Sequence, residues 1–328
     1  MPDSPAPGRP RILSGVQPSG KLHLGNYFGA IRQHIALQDE GECFFFIADF
    51  HALTTVQDPE QLRGLVRGVA LDYLALGLDP DKAAFFRQSD VPEVTELSWI
   101  LSTVTGMGLL ERAHSYKDKI ARGIAATAGL FGYPLLMAAD ILIYRSNLVP
   151  VGQDQIQHIE MTRDMAGYFN QTWKKVFPLP EARLDRAPVV PGTDGKKMSK
   201  SYGNTIDIFA EGAQLKKAVM GIVTDSTPVE SPKDPEKDNV FALYALFASP
   251  EERDALASRY RAGGLGYGDA KKMLIAEIEK RFAPARERRR ELERDPSTVD
   301  AVLARGARRA GDVARETMRE VREAVGLR

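Results

Sequence analysis

The sequence holds a single cysteine in 328 residues, Cys43, so no disulfide can form within the chain. The thiol falls in the apolar run Cys43-Phe44-Phe45-Phe46-Ile47-Ala48, where it reads as a small buried hydrophobe and not as a reactive group. That usage fits a reducing compartment, and a cytoplasmic location is expected. Neither sign of charge prevails: 44 Lys and Arg face 44 Asp and Glu. The overall field that would hold polyanions non-specifically is therefore absent, and any nucleic acid must meet a local patch. No apolar run is long enough to cross a bilayer, so a membrane is not an expected partner. Met1 to Pro10 carries four prolines and one arginine without an apolar core; residues 1–10 read as a disordered tail and not as a signal peptide. Both common nucleotide loops are missing as well. There is no Gly-x-x-x-x-Gly-Lys-Ser/Thr run, and Gly106-Met107-Gly108 lacks the third glycine of a dinucleotide fingerprint. His34, His51, His114 and His158 are scattered without metal-ligand spacing, so no protein metal site is assigned.

What is present is an alternation of strand and helix signals. Arg11 to Gln17, Cys43 to Asp49, Ala83 to Gln88 and Leu148 to Val151 read as strands, the apolar ones suited to a sheet covered on both faces. Helical periodicity fills Asn26 to Gln38, a stretch opened by Asp58-Pro59-Glu60 and running to Leu78, Glu93 to Thr105, and the strongly apolar Tyr133 to Arg145. Strands separated by helices predict an α/β fold, a doubly wound parallel sheet of the Rossmann type, with ligands at the carboxyl ends of the strands. Pro178 to Asn204 has little periodicity and reads as a mobile surface loop. Beyond about residue 205 the helical period dominates, ending in two long charged helices over 268–294 and 297–325. The expected division is a catalytic domain over 11–204 and a C-terminal all-helical domain over 205–328.

Two segments carry chemistry. Gly15-Val16-Gln17-Pro18-Ser19-Gly20 runs into His23-Leu24-Gly25-Asn26 at a helix start, where unpaired N–H groups and partial positive charge favour an anion. Gly25 lets a flat base approach the backbone; an ordinary Gly-rich turn with a capping Asn reads the same way. About 180 positions later Lys196-Lys197-Met198-Ser199-Lys200-Ser201 sets three lysines on the loop. Lysines on a closing loop deliver charge to phosphates whose charge grows in a transition state, although a basic loop by itself is usually solvated surface. Together the two segments suggest one nucleotide held from both sides.

His23-Leu24-Gly25-Asn26 resembles the first signature of the class I aminoacyl-tRNA synthetases, and Lys197-Met198-Ser199-Lys200-Ser201 matches their second signature letter for letter. Gly15 to Gly20, Met137-Ala138-Ala139-Asp140-Ile141-Leu142 and Val149-Pro150-Val151-Gly152-Gln153-Asp154-Gln155 narrow the resemblance to the tryptophanyl-tRNA synthetases of the bacterial type, with tyrosyl-tRNA synthetases as the nearest alternative. The resemblance covers residues 11–205 in order and continues more weakly beyond.

That resemblance implies a ligase that activates L-tryptophan with ATP, arriving with Mg²⁺, and passes it to tRNA(Trp). It places His23, Asn26, Lys119, Lys197 and Lys200 at the phosphates, and Gln17, Ser19, Gly25, Gly152, Asp154, Met198 and Ser199 around ATP. Asp140, Tyr133, Met137, Gln155, His51, Gly15 and Val151 fall around the tryptophan. Asp140 stands inside an apolar helix, where a charge is costly without a partner. It is the candidate acceptor for the indole N–H, with an ion pair to Arg145 or Arg112 as the alternative. Family membership also implies a homodimer, to which the apolar helix over 94–104 with Trp99 could contribute although burial in the core is the stronger reading for such a helix, and tRNA contact through the C-terminal segment. Residues 281–328 hold 13 Lys and Arg against 9 Asp and Glu, a surplus that internal ion pairs could equally absorb. Ser115, Gln153 and Tyr202-Gly203-Asn204 depart from the usual residues and leave open a divergent paralogue with a regulatory binding role.

Overall fold

The computed structural model describes residues 9–121, 123, 125–184 and 189–327, apart from the side chains of His114, Ser115, Asp118 and Lys119. Residues 1–8 of the expected tail lie outside that description. Arg9 and Pro10 are tied down: Arg9 donates to the Asp39 carbonyl at 3.1 Å, and the Pro10 carbonyl accepts from Glu42 N–H at 2.9 Å.

Two compact units make up the chain, the first from the described parts of Met1–Gly20, His34–Asp185 and Asp295–Arg328, the second from those of Lys21–Gln33 and Arg186–Arg294. The first unit is built on a five-stranded parallel sheet: β1 (Arg11–Val16), β2 (Glu42–Ile47), β3 (Ala83–Arg87), β4 (Leu148–Val151) and β5 (Glu181–Leu184), in the order β3-β2-β1-β4-β5. Four strands are the expected ones; β5 falls inside the segment read as a loop. The order reverses at β1, so the carboxyl ends of β1 and β4 flank the switch point where open sheets of this kind bind ligands. Gly15 lies opposite Phe46, and a side chain on it would stand 2.5 Å from the Phe46 ring.

Helices α1 (Pro59–Ala75), α2 (Glu93–Ser102), α3 (Ala128–Ile143) and α4 (Ile156–Thr172) belong to this unit. Asp58 caps α1 by accepting from Glu60 and Gln61 N–H, and Thr127 caps α3 by accepting from Leu130 N–H. The second unit is helical, with Gly212–Met220, Asn239–Tyr244, Pro250–Ala262 and Tyr267–Arg294 and no strand of the sheet among its described residues.

The fold class is the expected one, but the division at residue 205 is not where the chain divides. Lys21–Gln33 belongs to the helical unit because Tyr27 and Phe28 pack edge-on against Phe282 and Phe247, with centroids 4.9 and 5.0 Å apart. The C-terminal helix, Pro296–Val325, belongs with the sheet. Its Ala310, Ala314, Met318 and Val321 share a core with Phe86, Leu101 and Leu142. Arg322 donates to Glu96 Oε1 at 2.8 Å, and Arg145 meets Glu320 at 2.7 Å. Arg305, Arg315 and Arg319 also pair, with Asp81, Asp312 and Glu316. Part of the basic surplus seen in the sequence is thus met by carboxylates of the chain itself.

Candidate active site

Both lysine- and histidine-bearing segments lie in the helical unit. Residues 22–24 run beside residues 206–208, with Leu24 N–H donating to the Ile206 carbonyl at 3.0 Å and Ile208 N–H to the Leu22 carbonyl at 3.2 Å. Gly25 N–H donates to the sulfur of Met198 at 3.4 Å, and Asn26 Oδ1 accepts from His23 N–H at 3.1 Å. His23 and Lys200 line one cavity of about 270 Å³ together with Lys21, Thr205, Asp207 and Gln214. Burial first, and then the Lys200 charge, lower the His23 pKa to about 4, against a smaller opposing effect of Asp207. The ring is therefore neutral near pH 7. Its buried Nδ1 has no hydrogen-bond partner among the described residues, which is the condition of a group kept for a ligand.

The lysine loop is laced by hydrogen bonds among its own residues. Asn204, 2% exposed, accepts from Ser199 N–H at 2.8 Å and donates to Asp194 Oδ1 at 2.7 Å and the Lys197 carbonyl at 3.2 Å. Met198 N–H donates to the Val190 carbonyl at 2.9 Å, and the Met198 side chain is buried. Gly192 passes so close to Asn204 that an added Cβ would stand 2.2 Å from the amide nitrogen. Asn204, noticed in the sequence only as a departure from pattern, is thus the residue that shapes this loop.

In the sheet unit, Asp140 is 3% exposed and has no arginine partner among the described residues; both of its oxygens are held by His51 and Gln88. His51 Nε2 lies 3.0 Å from Oδ2, while Gln88 Nε2 donates to Oδ1 at 2.9 Å and to Oδ2 at 2.8 Å. Burial raises the Asp140 pKa above the usual carboxylate value, and the His51 and Gln88 hydrogen bonds oppose that shift only in part. Asp49, beside His51 after β2, accepts from Phe50 and Ser89 N–H at 3.0 Å each. Gln88 and Asp49 were not among the expected site residues. The available signal was their position at the carboxyl ends of β3 and β2.

The remaining candidates divide by element. Tyr133 and Met137 precede Asp140 on α3; the Tyr133 hydroxyl lies 2.5 Å from His158 Nε2, and Met137 packs against the core. Gln17 and Ser19 follow β1, and Val151 ends β4. Gly152 leads into the turn Gln153–Gln155, where Gln155 donates to Asp154 Oδ2 at 3.0 Å. Lys119 lies on the helix His114–Ala121, but its side chain is outside the described residues.

Comparison with known proteins gives the family. The family model described as tRNA synthetases class I (W and Y) matches residues 6–283. A tryptophan–tRNA ligase of Rhodopirellula baltica is 58% identical over 97% of this chain and 100% of its own length; one of Fusobacterium nucleatum is 54% identical over 97% and 98%. The crystal structure of tryptophanyl-tRNA synthetase from Campylobacter jejuni complexed with ADP and tryptophan superposes with a TM-score of 0.93 at 51% identity, covering 96% of this chain and 99% of that one. The chain belongs to the class I tRNA synthetases of the tryptophan and tyrosine group, and within it to the bacterial-type tryptophanyl-tRNA synthetases.

Proposed function

We propose that the chain joins L-tryptophan to tRNA(Trp) in two steps, using ATP as the Mg²⁺ complex. The tryptophan carboxylate attacks the α-phosphorus of ATP and expels pyrophosphate; the terminal ribose hydroxyl of the tRNA then takes the acyl group and releases AMP. Neither step needs a protein nucleophile, so the protein's contribution is positioning and charge stabilisation. Neutral His23 and the Asn26 amide donate to phosphate oxygens, Gly25 leaves room for adenine, and Lys197 and Lys200 stabilise the departing pyrophosphate. Lys119 is assigned to the same phosphates by its place in the sequence. Gln17, Ser19, Gly152, Asp154, Met198 and Ser199 complete the ATP site.

Asp140 accepts the indole N–H, with His51, Tyr133, Met137, Gln155, Gly15 and Val151 around the amino acid. A buried acceptor left unpaired by a substrate lacking that N–H is how such a site rejects it. Mg²⁺ enters as part of the nucleotide substrate, carried by phosphates and water. We further infer a homodimer in the cytoplasm. Trp99 on α2, 72% exposed, is the surface group offered for subunit contact.

The observation that carries this reading is the convergence of His23 and Lys200 on one cavity, two residues far apart in sequence and each the hallmark of a different signature. Exchange of labelled pyrophosphate into ATP tests it. Exchange should depend on tryptophan and be weak with tyrosine; exchange driven by tyrosine instead would assign the chain to the sister enzyme, and exchange with neither would reject the reading.

A further inference from the structure

We propose that Gln88 is a positioning residue for substrate choice: by holding both oxygens of Asp140 it leaves one acceptor position, on Oδ1, for the N–H of the substrate ring. The inference rests on the reading of Asp140 as the group that meets the indole.

Gln88 follows β3 directly and is 2% exposed. Its two ends face partners of fixed character. Oε1 lies 3.1 Å from Phe50 N and 3.4 Å from His51 N, both backbone N–H groups that can only donate. The amide is thereby oriented with oxygen toward the turn after β2 and nitrogen toward Asp140; the flipped amide would set N–H against N–H. Nε2 reaches both carboxylate oxygens, at 2.9 and 2.8 Å.

An ionised carboxylate offers about four acceptor positions. His51 and Gln88 occupy two on Oδ2, and Gln88 occupies one on Oδ1. One remains on Oδ1. The Gln88 amide nitrogen can only donate, so both Asp140 oxygens serve as acceptors toward it. The same amide fixes His51 through its backbone, so a single side chain sets the aim of Asp140 and of the imidazole beside it. A buried polar group of this kind loses its function when half of its network is removed.

The test compares tryptophan with its sulfur isostere, 3-benzothienylalanine, which keeps the ring shape and lacks the N–H. Pyrophosphate exchange is measured with the wild-type chain, Gln88→Met and Gln88→Glu. Gln88→Met removes donor and acceptor at similar volume; Gln88→Glu keeps an oxygen toward Phe50 and His51 and sets a second carboxyl group, in place of the amide donor, against Asp140. In both variants the KM for tryptophan should rise about tenfold, with kcat and the KM for ATP within about twofold. The preference for tryptophan over the isostere should fall by the same factor. A purely structural role for Gln88 would lower stability or kcat for both amino acids alike and leave the preference standing, and that result overturns the proposal. Should Gln88→Met fail to fold, Gln88→Glu decides alone. A wild-type chain that exchanges with neither compound rejects the functional reading itself. One that exchanges with both equally removes Asp140 as the discriminating group, and the proposal with it.

Discussion

The backbone N–H of Gly25 donates to the sulfur of Met198 at 3.4 Å, a direct bond between segments 173 residues apart. Glycine is needed at that point because an added Cβ would stand 2.9 Å from His23 Nδ1 and 3.4 Å from Met198 Cβ. Gly25→Ala should therefore turn the His23 ring out of the cavity while leaving the helical core intact. We expect kcat/KM for ATP to fall about a hundredfold, equivalent to about 3 kcal/mol of transition-state stabilisation, with Tm lowered by no more than about 3 °C. ATP-dependent exchange kinetics and calorimetry on the same preparation check this. Unchanged kinetics would mean that the His23 position is not used.

Asn204→Ala removes the side chain that accepts from Ser199 N–H and donates to Asp194 and the Lys197 carbonyl. Leaving those groups without a partner costs about 1–3 kcal/mol, and the cost falls on the loop and not on the core. The expected outcome is a loss of at least about tenfold in kcat and faster proteolysis between residues 190 and 204, with the global denaturant midpoint little changed. Gly192→Ala, whose Cβ would press on the Asn204 amide, should reproduce the same pattern.

Four strands, the long helices and both signatures were legible because each depends on local pattern or on letters in fixed order. β5 was not. Glu181-Ala182-Arg183-Leu184 is a four-residue edge strand with exposed Glu181 and Leu184 at its ends, so it shows neither an apolar run nor a clear alternation. The limits of the C-terminal helix were close to those read from its periodicity, but its partner was not legible. A helix does not state which surface it will cover, and its small residues Gly306, Ala310 and Ala314 were the overlooked sign of close packing. Asp140 was singled out as a charge in an apolar helix, whereas Gln88 carries no such contradiction. A glutamine after a strand is ordinary until its partner, 52 residues away, is known.

Gly306 is the tightest point of that helix against the sheet. A Cβ there would stand 2.0 Å from the Phe85 carbonyl oxygen and 2.7 Å from its backbone nitrogen. Neither atom can move without disturbing the ladder between β2 and β3. Gly306→Ala should accordingly destabilise the chain by about 2–4 kcal/mol despite the better helix propensity of alanine, which is worth only about 1 kcal/mol. A midpoint shift in urea unfolding measures it. The same substitution at Gly268, which meets nothing within 4 Å, is the control and should be neutral or stabilising.

His34 gives the sheet unit a defined response to acid. The ring is 7% exposed, with Nε2 3.0 Å from Ser14 Oγ, Nδ1 3.1 Å from the Tyr73 hydroxyl, and one face stacked on Phe45 at 5.5 Å. Burial lowers its pKa from 6.5 to about 4. Between those values the unfolded chain binds a proton that the folded chain does not, so stability is fully present above pH 6.5 and declines as pH falls toward 4. The decline from this one group amounts to about 3 kcal/mol. His23, also lowered to about 4, acts in the same direction, and the comparison of wild type with His34→Gln separates the two. The amide can still meet Ser14 and Tyr73 but does not titrate. Unfolding free energies measured from pH 7 to pH 4.5 should therefore fall less steeply in His34→Gln, so that any deficit it shows at pH 7 narrows or reverses in acid. Parallel curves would mean that His34 becomes charged within the folded chain at no cost.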